Sequence, residues 1–216
     1  YQRGNVETTR LLLAAAARAG GVGAFVLVSS LAAAGPSPVD APLREDAAPA
    51  PVSAYGRSKL AAEEAAAAGW PFRTACLRPP ALYGPRDAAF LPLFQAARRG
   101  WSPRLTGGLA NLSLVDGRDA AAAAVALLAS PAACGPYFVD AGRPYDWDDL
   151  ARALGTAWGR RVRTARVPVA ALNGLARLLG PRLSARLPLL HAERLATQGQ
   201  PGDRKSTRLN SSHTIQ

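Results

Sequence analysis

The sequence predicts an α/β fold built on a doubly wound, mostly parallel sheet. Short apolar runs rich in β-branched and aromatic residues alternate with longer stretches rich in Ala, Leu and Arg. Such alternation is typical of parallel strands joined by crossover helices that cover both faces of a sheet. With 216 residues, 49% of them hydrophobic, the chain is long enough to bury a core.

The first half is predicted to contain two helices, over residues 6–19 and 54–68, and two strands, over residues 24–30 and 72–77. Asn5 is a candidate N-cap of the first helix, and Gly20 is placed to end it. The Pro- and Ala-rich loop over residues 31–53 has a length that usually indicates function.

The second half continues the alternation after a loop over residues 81–88. Helices are predicted over residues 90–99, 119–128 and 147–158, and strands over residues 112–115, 137–139 and 162–167. The chain from there to about residue 196 is predicted to be helical and amphipathic.

The two ends of the sequence are unusual. The chain begins in a predicted helix, without the strand, glycine-rich turn and helix that open a nucleotide-binding α/β domain. From Asp203 the composition turns polar, and residues 203–213 resemble a translated sequencing adapter. We therefore expect a fragment that is inactive by itself, with a non-native tail over residues 203–216.

The composition restricts the partners. The formal charge is +11, but the basic residues are scattered and are not interleaved with aromatic residues, so we expect no nucleic-acid partner. Apolar runs stay below the roughly 18 residues of a membrane span and no signal peptide is visible, which predicts a cytoplasmic protein without an integral membrane segment. Cys76 and Cys134 lie in apolar segments and are expected to be buried free thiols.

The most specific chemical signal is the pair Tyr55 and Lys59 at the start of a predicted helix. A spacing of four places both side chains on one face, one turn apart. A phenol with a pKa near 10 is a poor acid–base catalyst at neutral pH, and a neighbouring ammonium lowers that pKa. Ser30, at the carboxyl end of a predicted strand, offers a hydroxyl where parallel sheets bind ligands.

Five motifs, in this order along the chain, resemble those of extended short-chain dehydrogenases/reductases, the NAD-dependent epimerase/dehydratase family. The motifs, each followed by the family pattern that it resembles, are residues 5–9 (pattern N-V-x-G-T), 25–30 (pattern F-V-x-V-S-S), 54–59 (pattern Y-x-x-S-K), 77–85 (pattern L-R-P-x-x-V-Y-G-P) and 114–119 (pattern F-V-x-V-D-D). The resemblance implies a partial Rossmann-like sheet with a small carboxyl-terminal substrate-binding region. Residues 1–105 would hold the catalytic part of the NAD(P)-binding domain, and residues 106–202 the remaining sheet elements and the substrate-binding or lid region.

The resemblance also implies roles for individual residues. Tyr55 would be the general acid/base, Lys59 would bind the nicotinamide ribose and lower the pKa of Tyr55, and Ser30 would orient the substrate oxygen. The cofactor, NAD or NADP, would also contact residues near two strand ends: Ser29, Pro79, Pro80 and Leu82. A small-molecule substrate would contact Ser30, Leu31, Tyr83 and Leu112. Asn5 would fix the helix beside the site or simply cap it, a homodimer is compatible with the family, and no metal site is expected.

Some positions depart from the family pattern. Thr8 and Arg86 stand where Gly is usual, and Arg118 replaces one of two paired aspartates, which leaves Asp119 as a helix cap. Nucleotide-sugar epimerases carry a diphosphate-binding arginine where this chain has Leu112, and leucine cannot replace the guanidinium fork.

The sequence therefore favours the branch that resembles 3β-hydroxysteroid dehydrogenases and dihydroflavonol reductases. We expect hydride transfer between nicotinamide and an apolar alcohol or ketone. A nucleotide-sugar epimerase with tightly bound NAD and a catalytically silent NAD(P)-binding sensor remain as alternatives. Dehydration is disfavoured, because Leu31 and Ala32 follow Ser30 where dehydratases place an acid.

Overall fold

The computed structural model describes residues 1–36, 42–106, 111–142, 145–171 and 174. Within them the elements follow the order α1 (Thr8–Ala19), β1 (Ala24–Val28), α2 (Ala54–Ala66), β2 (Arg73–Arg78), β3 (Ala81–Tyr83), α3 (Leu91–Arg98), β4 (Trp101–Thr106), β5 (Asn111–Leu112), β6 (Leu114–Asp116), α4 (Gly117–Ala129), β7 (Gly135–Phe138), β8 (Tyr145–Asp146), α5 (Trp147–Ala157) and β9 (Arg163–Pro168). A π-helical turn over Arg3–Glu7 leads into α1, and a 3₁₀ turn over Leu31–Ala33 follows β1.

Parallel pairing dominates the described sheets. The largest has three strands in the order β1-β2-β7, all parallel. β3 pairs with β6 and β4 with β9, also in parallel, and only the two-residue strands β5 and β8 pair antiparallel among the described strands. The predicted α/β fold with a mostly parallel sheet is confirmed.

Helices cover both faces of the three-stranded sheet, because successive strand residues point to opposite sides. Cys76 packs on one face with Leu13 of α1 and Ala66 of α2. Its neighbours in β2 pack on the other face with residues of α4 such as Leu127. A second region has its own apolar cluster, which contains Leu93, Leu105, Leu112, Leu114, Trp147, Leu150 and Leu154.

The structure adds three strands that the sequence pattern did not predict: β3, β4 and the two-residue strand β8. β3 lies within the predicted loop over residues 81–88, and its three residues are too few to show a period. The sequence does not predict β4, because Pro103 is unusual within a strand and because burial along β4 does not alternate. The neighbours Ser102 and Pro103 are both buried. The strand predicted over residues 112–115 is divided into β5 and β6.

Two predicted helix caps are wrong. Asn5 lies inside the helical turn that precedes α1, and its side chain does not cap that turn. Asp116, and not Asp119, caps α4: its carboxylate accepts a hydrogen bond from the backbone N–H of Arg118 at 2.8 Å, while Asp119 lies in the first turn. The helix begins earlier than predicted because the strand before it ends at Asp116.

The remaining predictions concern the two cysteines, Arg86, membrane-spanning helices and the carboxyl-terminal part of the chain. Cys76 is buried as predicted, but Cys134 is exposed. Arg86 adopts a positive φ of 70°, the left-handed conformation that favours glycine. It occupies a position where Gly is usual in the family pattern. No helix among the described residues is long and apolar enough to cross a membrane. The tail over residues 203–216 and most of the predicted helical stretch before it lie outside the described residues.

Candidate active site

The start of α2 is fixed by a serine cap. Ser53 has an extended backbone, and its hydroxyl accepts a hydrogen bond from the N–H of Gly56 at 2.9 Å. The cap places Tyr55 in the first turn and Lys59 in the second, so the predicted spacing of one turn is present in the structure.

A close contact brings the start of α2 onto the turn that follows β1. A Cβ atom at Gly56 would lie 2.2 Å from the carbonyl oxygen of Ala32, so only glycine allows this approach. Ser30 is two residues before Ala32 and is 3% exposed. Its hydroxyl accepts a hydrogen bond from the Ala32 N–H at 3.2 Å. Ser30 and Tyr55 therefore flank the same contact.

Lys59 completes this arrangement from the other side of Ser30. Its Nζ donates to the carbonyl oxygen of Val28 at 3.0 Å and lies 5.9 Å from the centre of the Tyr55 ring. Burial lowers the pKa of Lys59, and the nearby Glu63 carboxylate acts in the opposite direction. The structure thus packs the start of α2, with Tyr55 and Lys59, against the segment that carries Ser30.

The first helical segment supports α2. The Asn5 side-chain amide donates to the Ser58 hydroxyl at 2.8 Å, and that hydroxyl donates to the carbonyl oxygen of Tyr55 at 2.8 Å. The Tyr1 ring meets the Tyr55 ring edge-on with 5.5 Å between their centres. Asn5 therefore fixes the neighbouring helix, which is the first of its two predicted roles.

The residues predicted to contact the cofactor occupy different environments. Pro79 and Pro80 are buried directly after β2, and the Pro79 carbonyl accepts from the Leu31 N–H at 2.9 Å, beside Ser30. Leu82 is 40% exposed. Ser29 is buried and its hydroxyl donates to the Glu63 carboxylate. The Ser29 side chain is therefore bonded to Glu63, and its contact with the cofactor stays a prediction.

The residues predicted to contact substrate do not all lie on one surface. Tyr83 is half-buried, and burial, followed by the charge of Asp116, raises its pKa. Leu31 packs beside Phe138 and is 6% exposed, while Leu112 is 4% exposed in the second apolar cluster. Leu31 and Leu112 are thus packed among apolar neighbours, and their contacts with substrate stay predictions.

Tyr83 lines a partly open cavity of about 230 Å³ between α3, α5 and β6. The other lining residues are Phe90, Phe94, Leu114, Tyr145, Leu150, Ala153 and Leu154, so the walls are largely apolar. Three residues of β3 separate Pro80 from the end of that strand, a span of about 10 Å. The cavity therefore begins about one short strand away from Pro80.

Sequence reasoning missed a buried ionic cluster beneath the site. Glu63 pairs with Arg78, with 2.5 Å between Oε2 and Nη2, and both side chains are nearly inaccessible to solvent. Glu63 follows Lys59 by four residues, the same step that separates Lys59 from Tyr55. That continued spacing identifies Glu63 as a member of the same helix face. It does not identify Arg78 as the partner of Glu63.

Comparison with known proteins decides the family. The sequence profile described as "NAD dependent epimerase/dehydratase family" matches residues 1–139, which is more than half of the chain. The chain belongs to this family. Among curated members, a ceramide reductase of Caulobacter vibrioides (strain NA1000 / CB15N) is 35% identical over 169 residues, which cover 78% of this chain and 48% of the relative.

A 2'-dehydrokanamycin reductase of Streptomyces kanamyceticus is also 35% identical, over 161 residues that cover 68% of this chain and 45% of the relative. The chain thus spans about half the length of these two reductases. Among solved structures, MoeE5 in complex with UDP-glucose and NAD is 27% identical, with a TM-score of 0.64 over 76% of this chain and 57% of that one.

Human epimerase family protein SDR39U1 with NADPH superimposes with a TM-score of 0.75 over 97% of this chain and 67% of that one. At 21% identity, this likeness shows the fold alone. It confirms the Rossmann-like class that the motifs predict within the epimerase/dehydratase family.

Proposed function

We propose that the protein to which this chain belongs is an NAD(P)-dependent oxidoreductase that transfers a hydride between nicotinamide and an apolar hydroxyl or carbonyl compound. The observation that carries the proposal is that the start of α2, with Tyr55 and Lys59, packs against the residues on either side of Ser30. The Gly56–Ala32 contact and the bond from Lys59 to Val28 O hold this group from two sides.

The residues at this strand end fit a nicotinamide nucleotide. An ammonium has three N–H donors, and the bond to Val28 uses one, which leaves Lys59 able to bind ribose hydroxyls. Pro79, Pro80 and Leu82 would lie along the nicotinamide ring, and the carboxyl ends of parallel strands are where such folds bind dinucleotides. When bound, the nicotinamide ring supplies or accepts the hydride.

The chain's own residues would handle the proton. In reduction, the Tyr55 hydroxyl would give its proton to the carbonyl oxygen of the substrate, and solvent would reprotonate the phenolate. In oxidation, the phenolate would take the proton of the alcohol. The Lys59 ammonium would favour the phenolate form of Tyr55 over the phenol. The Ser30 hydroxyl would hold the substrate oxygen in place.

The apolar cavity beside Tyr83 supports an apolar substrate. Its walls carry mainly hydrocarbon and aromatic groups, and a site of this kind binds ligands chiefly through the removal of apolar surface from water. The position where epimerases carry a diphosphate-binding arginine is here filled by Leu112, which packs into the core. The match to a ceramide reductase also supports an apolar substrate.

A nucleotide-sugar epimerase is the second candidate. It is favoured by the likeness to MoeE5 in complex with UDP-glucose and NAD at 27% identity. Epimerisation also begins with hydride removal, so the Ser-Tyr-Lys group would serve both reactions. The two candidates differ in the substrate that is turned over.

The proposal is tested on the full-length protein with hydroxysteroids, long-chain alcohols and ketones, and UDP-sugars, by following nicotinamide absorbance and the sugar products. We expect Tyr55→Phe to lower kcat for an apolar substrate by about 100-fold or more, because the proton donor is lost. Tyr137→Phe is the matched control, since that hydroxyl accepts a hydrogen bond from the Cys134 N–H at 3.4 Å, at the amino-terminal end of β7. Tyr55→Phe activity equal to wild type would refute the mechanism.

Other outcomes of that experiment separate the alternatives. Turnover of a UDP-sugar without net nicotinamide reduction would assign the protein to the epimerases. Cofactor binding without turnover of any of these compounds would favour a sensor.

A further inference from the structure

We propose that Glu63 is a positioning residue of the active site, which holds Lys59 and the strand end that carries Ser30 in their working places. The inference rests on the proposed function, because it concerns the residues to which that function assigns the proton transfer. Glu63 itself is buried, and it would act on the reaction through its neighbours.

The first support is the set of contacts that Glu63 makes. Its carboxylate accepts from Nε of Arg78 at 3.0 and 3.1 Å, from Nη2 of the same residue at 2.5 Å, and from the hydroxyl of Ser29. The carboxylate is therefore satisfied by one neighbour from each of two strand ends. Such a fully paired buried group fixes the geometry of its partners.

The second support is the position of those partners. Ser29 directly follows β1 and precedes Ser30, while Arg78 ends β2 and precedes Pro79. The Arg78 guanidinium carbon lies 5.7 Å from the centre of the Phe138 ring, at the end of β7. Glu63 thus joins α2 directly to the carboxyl ends of β1 and β2, and through Arg78 to the end of β7.

The third support is electrostatic. Glu63 follows Lys59 by one helical turn, and its charge raises the pKa of Lys59 against the effect of burial. The other titratable groups around this face are Tyr55 on α2, Tyr1 beside its ring, and Cys76 and Arg78 on β2. Among these, Glu63 is the acid whose charge favours the ammonium form of Lys59.

A buried ion pair can also be purely structural, so the test must separate the two roles. Removing one partner leaves a buried charge and destabilises the fold, whereas replacing both with apolar residues of similar size is often tolerated. We therefore compare three variants of the full-length protein: Glu63→Gln, the double variant Glu63→Met with Arg78→Met, and Glu64→Gln. Glu64 is the exposed neighbour on the same helix and serves as the control.

The direct measurement is the titration of Lys59 by NMR. In protein labelled with ¹³C at lysine Cε, the signal of Lys59 is identified as the one that is missing from Lys59→Arg. We expect the Lys59 midpoint to move to lower pH in Glu63→Gln and in the double variant, and to stay in place in Glu64→Gln. An unchanged midpoint in both Glu63 variants would overturn the inference.

The kinetic measurement completes the test. We expect the double variant to regain the urea midpoint of wild type, while its kcat stays about tenfold lower. As the pH is raised, the double variant should lose activity at a lower pH than wild type does. Recovery of both stability and full kcat would show that Glu63 only supports the fold. If Tyr55→Phe is fully active, the proposed function fails, whereas a shifted Lys59 titration would still establish the coupling to Glu63.

Discussion

At the scale of single residues, the site depends on Gly56 as much as on the groups that would do the chemistry. Helix α2 approaches the turn after Ser30 so closely that a methyl group would overlap the Ala32 carbonyl. The overlapping atoms are backbone atoms, so a rotamer change cannot relieve the clash. Either the helix or the turn would have to move.

Gly56→Ala is therefore expected to displace Tyr55 from Ser30. We expect a loss of about 1–3 kcal/mol in the free energy of unfolding from overpacking, and a fall in kcat of about 100-fold, because a shift of about 1 Å has that effect on a positioned group. Urea unfolding and steady-state kinetics measure the two effects.

Gly4→Ala is the control for this change. Gly4 also lies in a helical segment, but a Cβ atom there would meet nothing within 4 Å. Alanine should preserve or slightly raise stability at that position, because it restricts the unfolded chain. Equal effects of the two substitutions would show that the contact with Ala32 does not matter.

At the scale of an element, α4 begins with a charged cap. The Asp116 carboxylate accepts from the Arg118 backbone at 2.8 Å and from its guanidinium at 3.0 and 2.9 Å. The side-chain bonds to Arg118, then the backbone bond, lower the pKa of Asp116 to about 2. This helix packs on β1 and β2, so its start is part of the sheet that carries the site.

The cap predicts a pH dependence. Because the pKa of Asp116 is lower in the folded chain than its usual value of about 3.9, its stabilising effect is present above about pH 4 and is lost as the pH falls toward 2. Asp116→Asn keeps an oxygen acceptor but not the charge. The difference in urea midpoint between wild type and Asp116→Asn should therefore shrink between about pH 5 and about pH 3. A constant difference would contradict this assignment.

At the scale of the whole molecule, two apolar clusters meet at β6. Leu114 packs with the cluster around α3 and α5, and its neighbour Val115 packs with α4 and the central sheet. The strand alternation therefore sends adjacent side chains into different cores. The core between α4 and the sheet supports the strand ends on which the candidate site is built.

This core predicts different effects for two adjacent leucines of α4. Leu127 is 1% exposed and Leu128 is 45% exposed. Leu127→Ala should cost about 2–5 kcal/mol through lost burial and a cavity, whereas Leu128→Ala should change the free energy of unfolding by about 0.5 kcal/mol or less. Equal urea midpoints for the two variants would show that α4 is not packed on the sheet in this way.

The sequence by itself determined the features that depend on neighbours along the chain. The runs that form β1 and β2, the helix that carries Tyr55 and Lys59, and the spacing of that pair follow from local periodicity. The order of the motifs identified the family for the same reason, since each motif is a short continuous segment. The position of Ser30 at a strand end also needed only the end of an apolar run.

Only the tertiary structure decided how distant segments meet. Ser29 and Glu63 are 34 residues apart, Glu63 and Arg78 are 15 apart, and Asn5 and Ser58 are 53 apart, and no local pattern encodes such pairs. The burial of Leu112, the extended state of β4 and the Gly56–Ala32 contact depend likewise on what packs against them. Side-chain types and spacings predict which groups can react, but long-range packing determines which of them lie together.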